Sequence, residues 1–201
     1  MTIRSPVRIE PLSAPYPPDV ASWLARSMAA VPEKEPLQLF RTLAVHPDLA
    51  RSMGRLGALL LERPRLDPRE REIVIARVTA LVGAEYEWGV HAVVFGRPLG
   101  LTEAQLAATV RGAADDPVWS PRERLLVRLA DDLHDGRHVS DEFWAQLHSQ
   151  WSDDQLLELI VVVGWYRVIS QLLVSTGVEL EPWAARFSSV IVDNGAPQTH
   201  A

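Results

Sequence analysis

Apolar residues recur along most of the chain at three- and four-residue intervals, the period of helices rather than strands. The pattern is densest from Leu66 to Leu99, LDPREREIVIARVTALVGAEYEWGVHAVVFGRPL. Asp67 is a good N-cap, Pro68 suits a first helical turn and Glu70 sits three residues after the cap, so a helix starts here. Ile73, Ile75, Ala76, Val78, Ala80 and Leu81 give it more apolar surface than one narrow stripe requires, which predicts a largely buried helix. Gly83 suits a left-handed cap at its end. Trp88, His91, Ala92 and Phe95 then recur at helical spacing and predict a second helix folded back on the first.

The same reading extends outward. Before this hairpin, helices are predicted over Asp19–Ala30 (Trp23, Leu24, Met28), over Leu37–Val45, and from the break at His46-Pro47-Asp48 to about Glu62. After it, Thr102 and Gln105 form a capping-box pattern for a helix to about Val110. Ser120-Pro121-Arg122-Glu123 repeats the grammar of the Asp67 start, and Ser140 opens a helix through Phe143, Trp144 and Leu147. Ser152 with Gln155 begins the longest apolar helix, Asp153 to about Ser175, which Gly177 ends. Pro182 to Phe187 can form a last turn. No strand pattern of convincing length occurs. The expectation is an all-α fold of about eight to ten helices around the Ile73–Leu81 and Leu156–Val174 segments. Residues 1–17, with Pro6, Pro11, Pro15 and Pro17, predict an extended arm. It is either a loose tail or an arm along a neighbouring subunit, burying Ile9, Leu12 and Tyr16. Residues 18–188 form a single helical domain, and 189–201 lack an apolar period and are expected to be disordered.

Composition narrows the classes. With 201 residues, 47% hydrophobic and 23% charged, the chain suits one globular domain or at most two. A formal net charge of −6 offers no electrostatic footprint for nucleic acid. The absence of cysteine removes disulfides and zinc–thiolate sites and is compatible with a reducing cytoplasm, the expected location. MTIRSPVRIEPL has no apolar core of signal-peptide length. Leu156–Val174 contains Glu158, Arg167 and Gln171, costly in lipid, so a buried helix is expected there and no membrane span. No Walker loop, GxGxxG or GxSxG is present.

The chemistry concentrates on three side chains. Glu87 and His91 are four apart and share a helix face. Glu72 lies eleven residues before Gly83 and His91 eight after it. At ~1.5 Å per residue these are similar heights in an antiparallel pair. The three can converge on one apolar pocket beside Trp88, where a carboxylate favours the charged imidazole and burial raises a carboxylate's pKa. Such a cluster can move protons near neutral pH. Plainer readings stand beside this one. Glu87–His91 can be a surface helical pair, and Glu72 a solvated acid suiting the helix dipole. Two carboxylates and one imidazole could hold a metal, but no HExxH and no second strong His ligand support it, so none is expected. His134 and His138 are separated by the turn signal Asp135-Gly136, which predicts an exposed loop. Arg167, inside the longest helix, needs a core carboxylate, an interface or a substrate carboxylate as partner. Tyr166 beside it reads as core, with a hydroxyl that needs a partner.

On these residues the chain resembles the carboxymuconolactone decarboxylase family of the alkylhydroperoxidase D-like superfamily. The resemblance covers about Pro36 to Phe187 and is strongest at Leu66–Leu99 and Trp151–Ser170. The peroxidase branch carries a Glu, then Cys-x-x-Cys, then a His. Laid on this chain these fall on Glu72, on Ala84 and Glu87, and on His91. AEYEW followed by His is a form common in the branch without the cysteines. Thiol peroxidase or disulfide chemistry needs a thiolate, and this chain has none.

The resemblance implies a helical homo-oligomer (dimer, trimer or hexamer) and a cofactor-independent lyase or isomerase acting on a small carboxylated or carbonyl-bearing molecule. In that expectation His91 is the proton donor or general base, Glu87 orients it, and Glu72 is a second acid or base across the pocket. Trp88 and Tyr86 shape the wall and Arg167 anchors an anion. The alternative is a non-catalytic oligomeric binding or scaffold protein. A weaker one is a peroxidase-like protein using another reductant.

Overall fold

A computed structural model describes residues 6–191, and among these there are helices and no strands. The chain order is α1 (Pro18–Ser27), α2 (Gln38–Leu43), α3 (Pro47–Glu62), α4 (Pro68–Val82), α5 (Glu85–His91), α6 (Glu103–Arg111), α7 (Pro121–His134), α8 (Asp141–His148), α9 (Asp153–Thr176) and α10 (Phe187–Val190). The all-α architecture expected from periodicity is the one observed. The starts follow their caps. Asp67 accepts from the N–H groups of Arg69 and Glu70, and Thr102 and Ser120 form the reciprocal capping boxes with Gln105 and Glu123. Gly83 and Gly177 end α4 and α9 at φ 76° and 71°, left-handed values that a side chain would strain.

Helix α4 is the centre, packed against α5, α6, α7 and α9. Ile73, Val74, Ile75 and Val78 are wholly buried, and burying each contributes about 1.5–3 kcal/mol before the entropy of ordering it. Two of its three arginines, Arg71 and Arg77, are buried too, which the charge pattern alone did not suggest. Arg77 donates to Asp131 at 2.6 Å and to the carbonyls of Thr109 and Gly112 at 3.0 Å. A second apolar cluster joins α1 and α2 to Tyr86, Val90 and Ile169. The candidate site lies along the seam between the two clusters.

Two expectations change in detail. The second hairpin helix is short: α5 ends at His91 and continues as π-helix over Ala92–Gly96. The arm, over its described residues, packs on its own chain. Leu12 N–H donates to Arg41 O at 3.2 Å, Arg41 Nε donates back to Leu12 O at 2.6 Å, and Arg8 N–H donates to Thr176 O at 2.8 Å. The expected disorder of the tail falls largely on residues 192–201, outside the described residues.

Helix α9 is the one described helix long and apolar enough by length and composition to cross a membrane. It buries Leu156, Leu159, Val162, Tyr166 and Leu173 in the core. Its opposite side leaves Leu157, Val161 and Val168 exposed, so the helix is buried on one face only.

Candidate functional site

The reversal at Gly83 lays α5 against α4, and the register brings Glu72 to His91. His91 Nδ1 lies 2.8 Å from Glu72 Oε2, with both side chains buried. The other ring nitrogen, Nε2, lies 3.5 Å from Glu87 Oε1 one turn back on α5. Behind Glu72, its neighbour Arg71 donates from Nε and Nη2 to Oε1 at 3.0 and 2.9 Å. A third donor of Arg71, Nη1, reaches the carbonyls of Leu61 at 3.2 Å and Leu60 at 3.4 Å near the end of α3. The row Arg71, Glu72, His91, Glu87 alternates in sign and is neutral when the imidazole is protonated, as buried charges require.

Burial is the largest single influence on His91 and pulls its pKa down. The charge and hydrogen bond of Glu72, joined by those of Glu87, outweigh it, and the pKa rises from 6.5 to about 9. His91 is therefore an imidazolium near neutral pH, with Nδ1 hydrogen-bonded to Glu72 and Nε2 in a looser 3.5 Å ion pair with Glu87. The Tyr166 ring meets the imidazole edge-on at 5.0 Å, and Phe95, one turn on in the π-helix, lies 5.1 Å away on another side. Burial, and then the charges of Glu72 and Glu87, push the Tyr166 hydroxyl well above 10, so it stays a proton donor. Among the described residues it makes no protein hydrogen bond.

A cavity of about 740 Å³ opens over this row, between α1–α3 on one side and α5 and α9 on the other. Glu87, His91 and Tyr166 line it, with Phe95, Trp165 and Ile169 beside them. Glu72 does not. It sits behind the imidazole, hydrogen-bonded to it, whereas Glu87 lines the cavity, so the carboxylate expected across the pocket and the one expected to hold the ring stand in each other's places. No group of three or more His, Asp or Glu suited to a metal ion occurs among the described residues.

The three expected substrate contacts lie elsewhere. Trp88 is wholly buried behind the site, its Nε1 donating to Thr109 Oγ1 at 2.9 Å and its ring 5.2 Å from Phe187. Tyr86 donates to Glu181 Oε1 at 2.6 Å and accepts from Leu39 N–H, stitching α5 to α2 and the C-terminal segment. Arg167, adjacent to Tyr166, leaves α9 on another face and donates to His134 O at 2.5 Å, capping the end of α7. Sequence reasoning missed Arg71, the Tyr166 hydroxyl as a cavity group, and the roof. The roof had a signal. Gly54, Gly57 and Ala58 cluster on the cavity side of the amphipathic α3, where the two glycines let Trp23 and Trp165 pack against the helix backbone.

Residues 47–132 match the carboxymuconolactone decarboxylase family, a span that holds Glu72, Glu87 and His91 and stops short of Tyr166. No curated protein sequence matches the chain. Among solved structures, an uncharacterized peroxidase-related protein from Silicibacter sp. superposes with a TM-score of 0.76 at 14% identity, over 90% of this chain and 96% of that one. A peroxidase-related protein from Ralstonia eutropha with an alkylhydroperoxidase AhpD core gives 0.73 at 17% identity, over 89% and 92%. The debrominase Bmp8, as a Cys-to-Ala variant in complex with 2,3,4-tribromopyrrole, gives 0.70 at 16% identity, over 87% and 92%. At these identities the likeness establishes a shared helical fold, one that hosts at least one enzyme.

Proposed function

Starting from a chain whose residues 47–132 belong to the carboxymuconolactone decarboxylase family, we propose that it is a cofactor-independent lyase or isomerase. It moves protons between Glu87, His91 and a carbonyl- or carboxyl-bearing molecule in the cavity. The observation that carries this reading is the charged imidazole held between two carboxylates, one of which faces a cavity. Glu87 is the general base and takes a proton from carbon beside a carbonyl. The electron pair moves onto the carbonyl oxygen, where the imidazolium of His91 and the Tyr166 hydroxyl donate hydrogen bonds to the developing enolate. In an isomerisation the same proton returns to a different carbon. In a decarboxylation the bond to the carboxylate breaks instead, CO₂ leaves, and the enolate carbon takes a proton from His91, which solvent replaces. Glu72, braced by Arg71, fixes the ring and its charge and is a positioning residue. The proposed partners are a small molecule and further copies of the chain, the latter meeting at the exposed apolar side of α9.

The test is a panel of β-keto acids, enol lactones and ketones in D₂O, followed by proton NMR for decarboxylation, isomerisation or deuterium uptake. The wild type is expected to turn over at least one compound, and Glu87→Gln and His91→Gln at least ~100-fold more slowly. Equal rates in either variant would refute the assigned roles. A second reading, a binding protein without turnover, draws on the size of the cavity and on Ala84 and Glu87 standing where the superfamily's other branch has thiols. A compound that binds in the cavity and is released unchanged by the wild type would favour it.

A further inference from the structure

Resting on the isomerase form of that reading, in which no carboxylate is lost at the floor, we infer that the cavity takes an elongated, largely apolar molecule with a single anionic group. The charged end sits at the mouth, and a carbonyl rather than the anion meets Glu87 and His91. The volume comes first. About 740 Å³ lies in the upper part of the range of pockets that enclose drug-sized ligands and is far more than a small lactone fills. The space is built in, because the roof is made of small residues. A Cβ added at Gly57 would touch the Trp165 ring at 3.7 Å and one at Gly54 would press on Trp23 Nε1 at 2.9 Å, so the glycines let these two rings stand against α3 as walls of the space. The walls are aromatic and aliphatic: Trp23, Phe40, Leu43, Val94, Phe95 and Trp165. Such a surface favours an apolar body with at least one flat ring.

Charge sets the orientation. Three arginines line the mouth, Arg26, Arg51 and Arg55. Arg51 is engaged, by Asp19 at 3.2 Å and Asp48 at 2.5 Å. Arg26 and Arg55 form no ion pair among the described residues, and the Arg55 guanidinium donates only to Ser52 Oγ, at 3.3 Å. Glu62 is the single carboxylate at the lining besides Glu87, so two unpaired cations face one anion. The floor is closed to a second negative charge. Glu87 is already there, its countercharge shared with Glu72, and an added carboxylate would be desolvated beside it. A monoanion therefore gains by placing its head at the mouth and loses by placing it at the floor.

The test uses two probes that share one aromatic skeleton, 8-anilinonaphthalene-1-sulfonate and the neutral N-phenyl-1-naphthylamine. Binding is read by fluorescence on the full chain carrying His91→Gln, so that no turnover is involved. The sulfonate is expected to bind one saturable site more tightly than the amine. Ala58→Leu in the same background should weaken both at least tenfold by filling the roof, with circular dichroism and Tm confirming the fold. Arg26→Gln with Arg55→Gln should weaken the sulfonate about tenfold, as two partly solvated charge contacts would, and leave the amine unchanged. The inference is overturned if the amine matches the sulfonate on the parent protein, if Ala58→Leu changes neither, or if the double arginine variant binds the sulfonate as before. It is also overturned if the site opens only on dilution of an oligomer, since a second copy would then be its occupant. Good probe binding with no turnover of any carbonyl compound would sink the proton-transfer reading alone. Turnover without probe binding would sink this inference alone.

Discussion

Replacing His91 by glutamine should remove a dependence of stability on pH that the buried imidazole supplies. In the folded protein the imidazole pKa is about 9 against 6.5 for a free histidine. At 1.36 kcal/mol per pKa unit, the protonated ring contributes about 3 kcal/mol to folding where it is charged in both states. The sign follows from which state holds the proton. Below pH ~6.5 both states carry it and the contribution is complete. Between ~6.5 and ~9 only the folded state carries it, so stability falls as the pH rises. Above ~9 both have lost it and the contribution is gone. Urea denaturation of the wild type and of His91→Gln, measured from pH 6 to pH 10, isolates the effect as the difference between the two curves. That difference is expected to fall by about 3 kcal/mol across the window and to be level on either side. An NMR titration of the histidine side chains should show one ring titrating near 9. A level difference through the window, or no imidazole titrating above 6.5, would mean that burial outweighs the two carboxylates. His91 would then be neutral at pH 7, and its role as an acid would fall with it.

Four further outcomes follow from the same contacts. Glu72→Gln removes the charge that most raises the His91 pKa, so the alkaline limb of the pH–rate profile should move to lower pH and kcat should fall at least ~10-fold with KM little changed. Arg71→Met leaves a buried carboxylate without its two donors and should cost about 3–5 kcal/mol in urea denaturation. Gly89→Ala places a Cβ 2.1 Å from the Ala185 carbonyl oxygen, a backbone atom that cannot turn aside, and should lower stability by ~1–3 kcal/mol or more, read as a drop in Tm. Arg167→Gln removes the donor to His134 O and should cost ~1 kcal/mol while leaving turnover and probe binding unchanged. A loss of binding there would restore the anion anchor that the structure moves away from the site.

What the sequence determined by itself is the part governed by short-range chemistry. Asp67, Thr102, Ser120 and Ser140 start their helices because a side-chain oxygen meets N–H groups two or three residues on. Gly83 and Gly177 end theirs because no other residue takes that φ cheaply. The helical period marked α4 as buried and α9 as a core element. The antiparallel hairpin brought Glu72 to the height of His91 from counting alone, since both rise about 1.5 Å per residue from one turn. The tertiary structure decided the rest, because it depends on rotation and on what packs from far along the chain. Which side of His91 each carboxylate occupies follows from a few tens of degrees about α4 and α5, and no count of residues gives that angle. Trp88, Tyr86 and Arg167 have the right chemistry for a binding wall but face Thr109, Glu181 and the end of α7, partners 21, 95 and 33 residues away. The cavity belongs to a roof of α1–α3 closing over a floor from α5 and α9. Glycines on α3 let aromatic rings from α1 and α9, Trp23 and Trp165, stand against its backbone as walls.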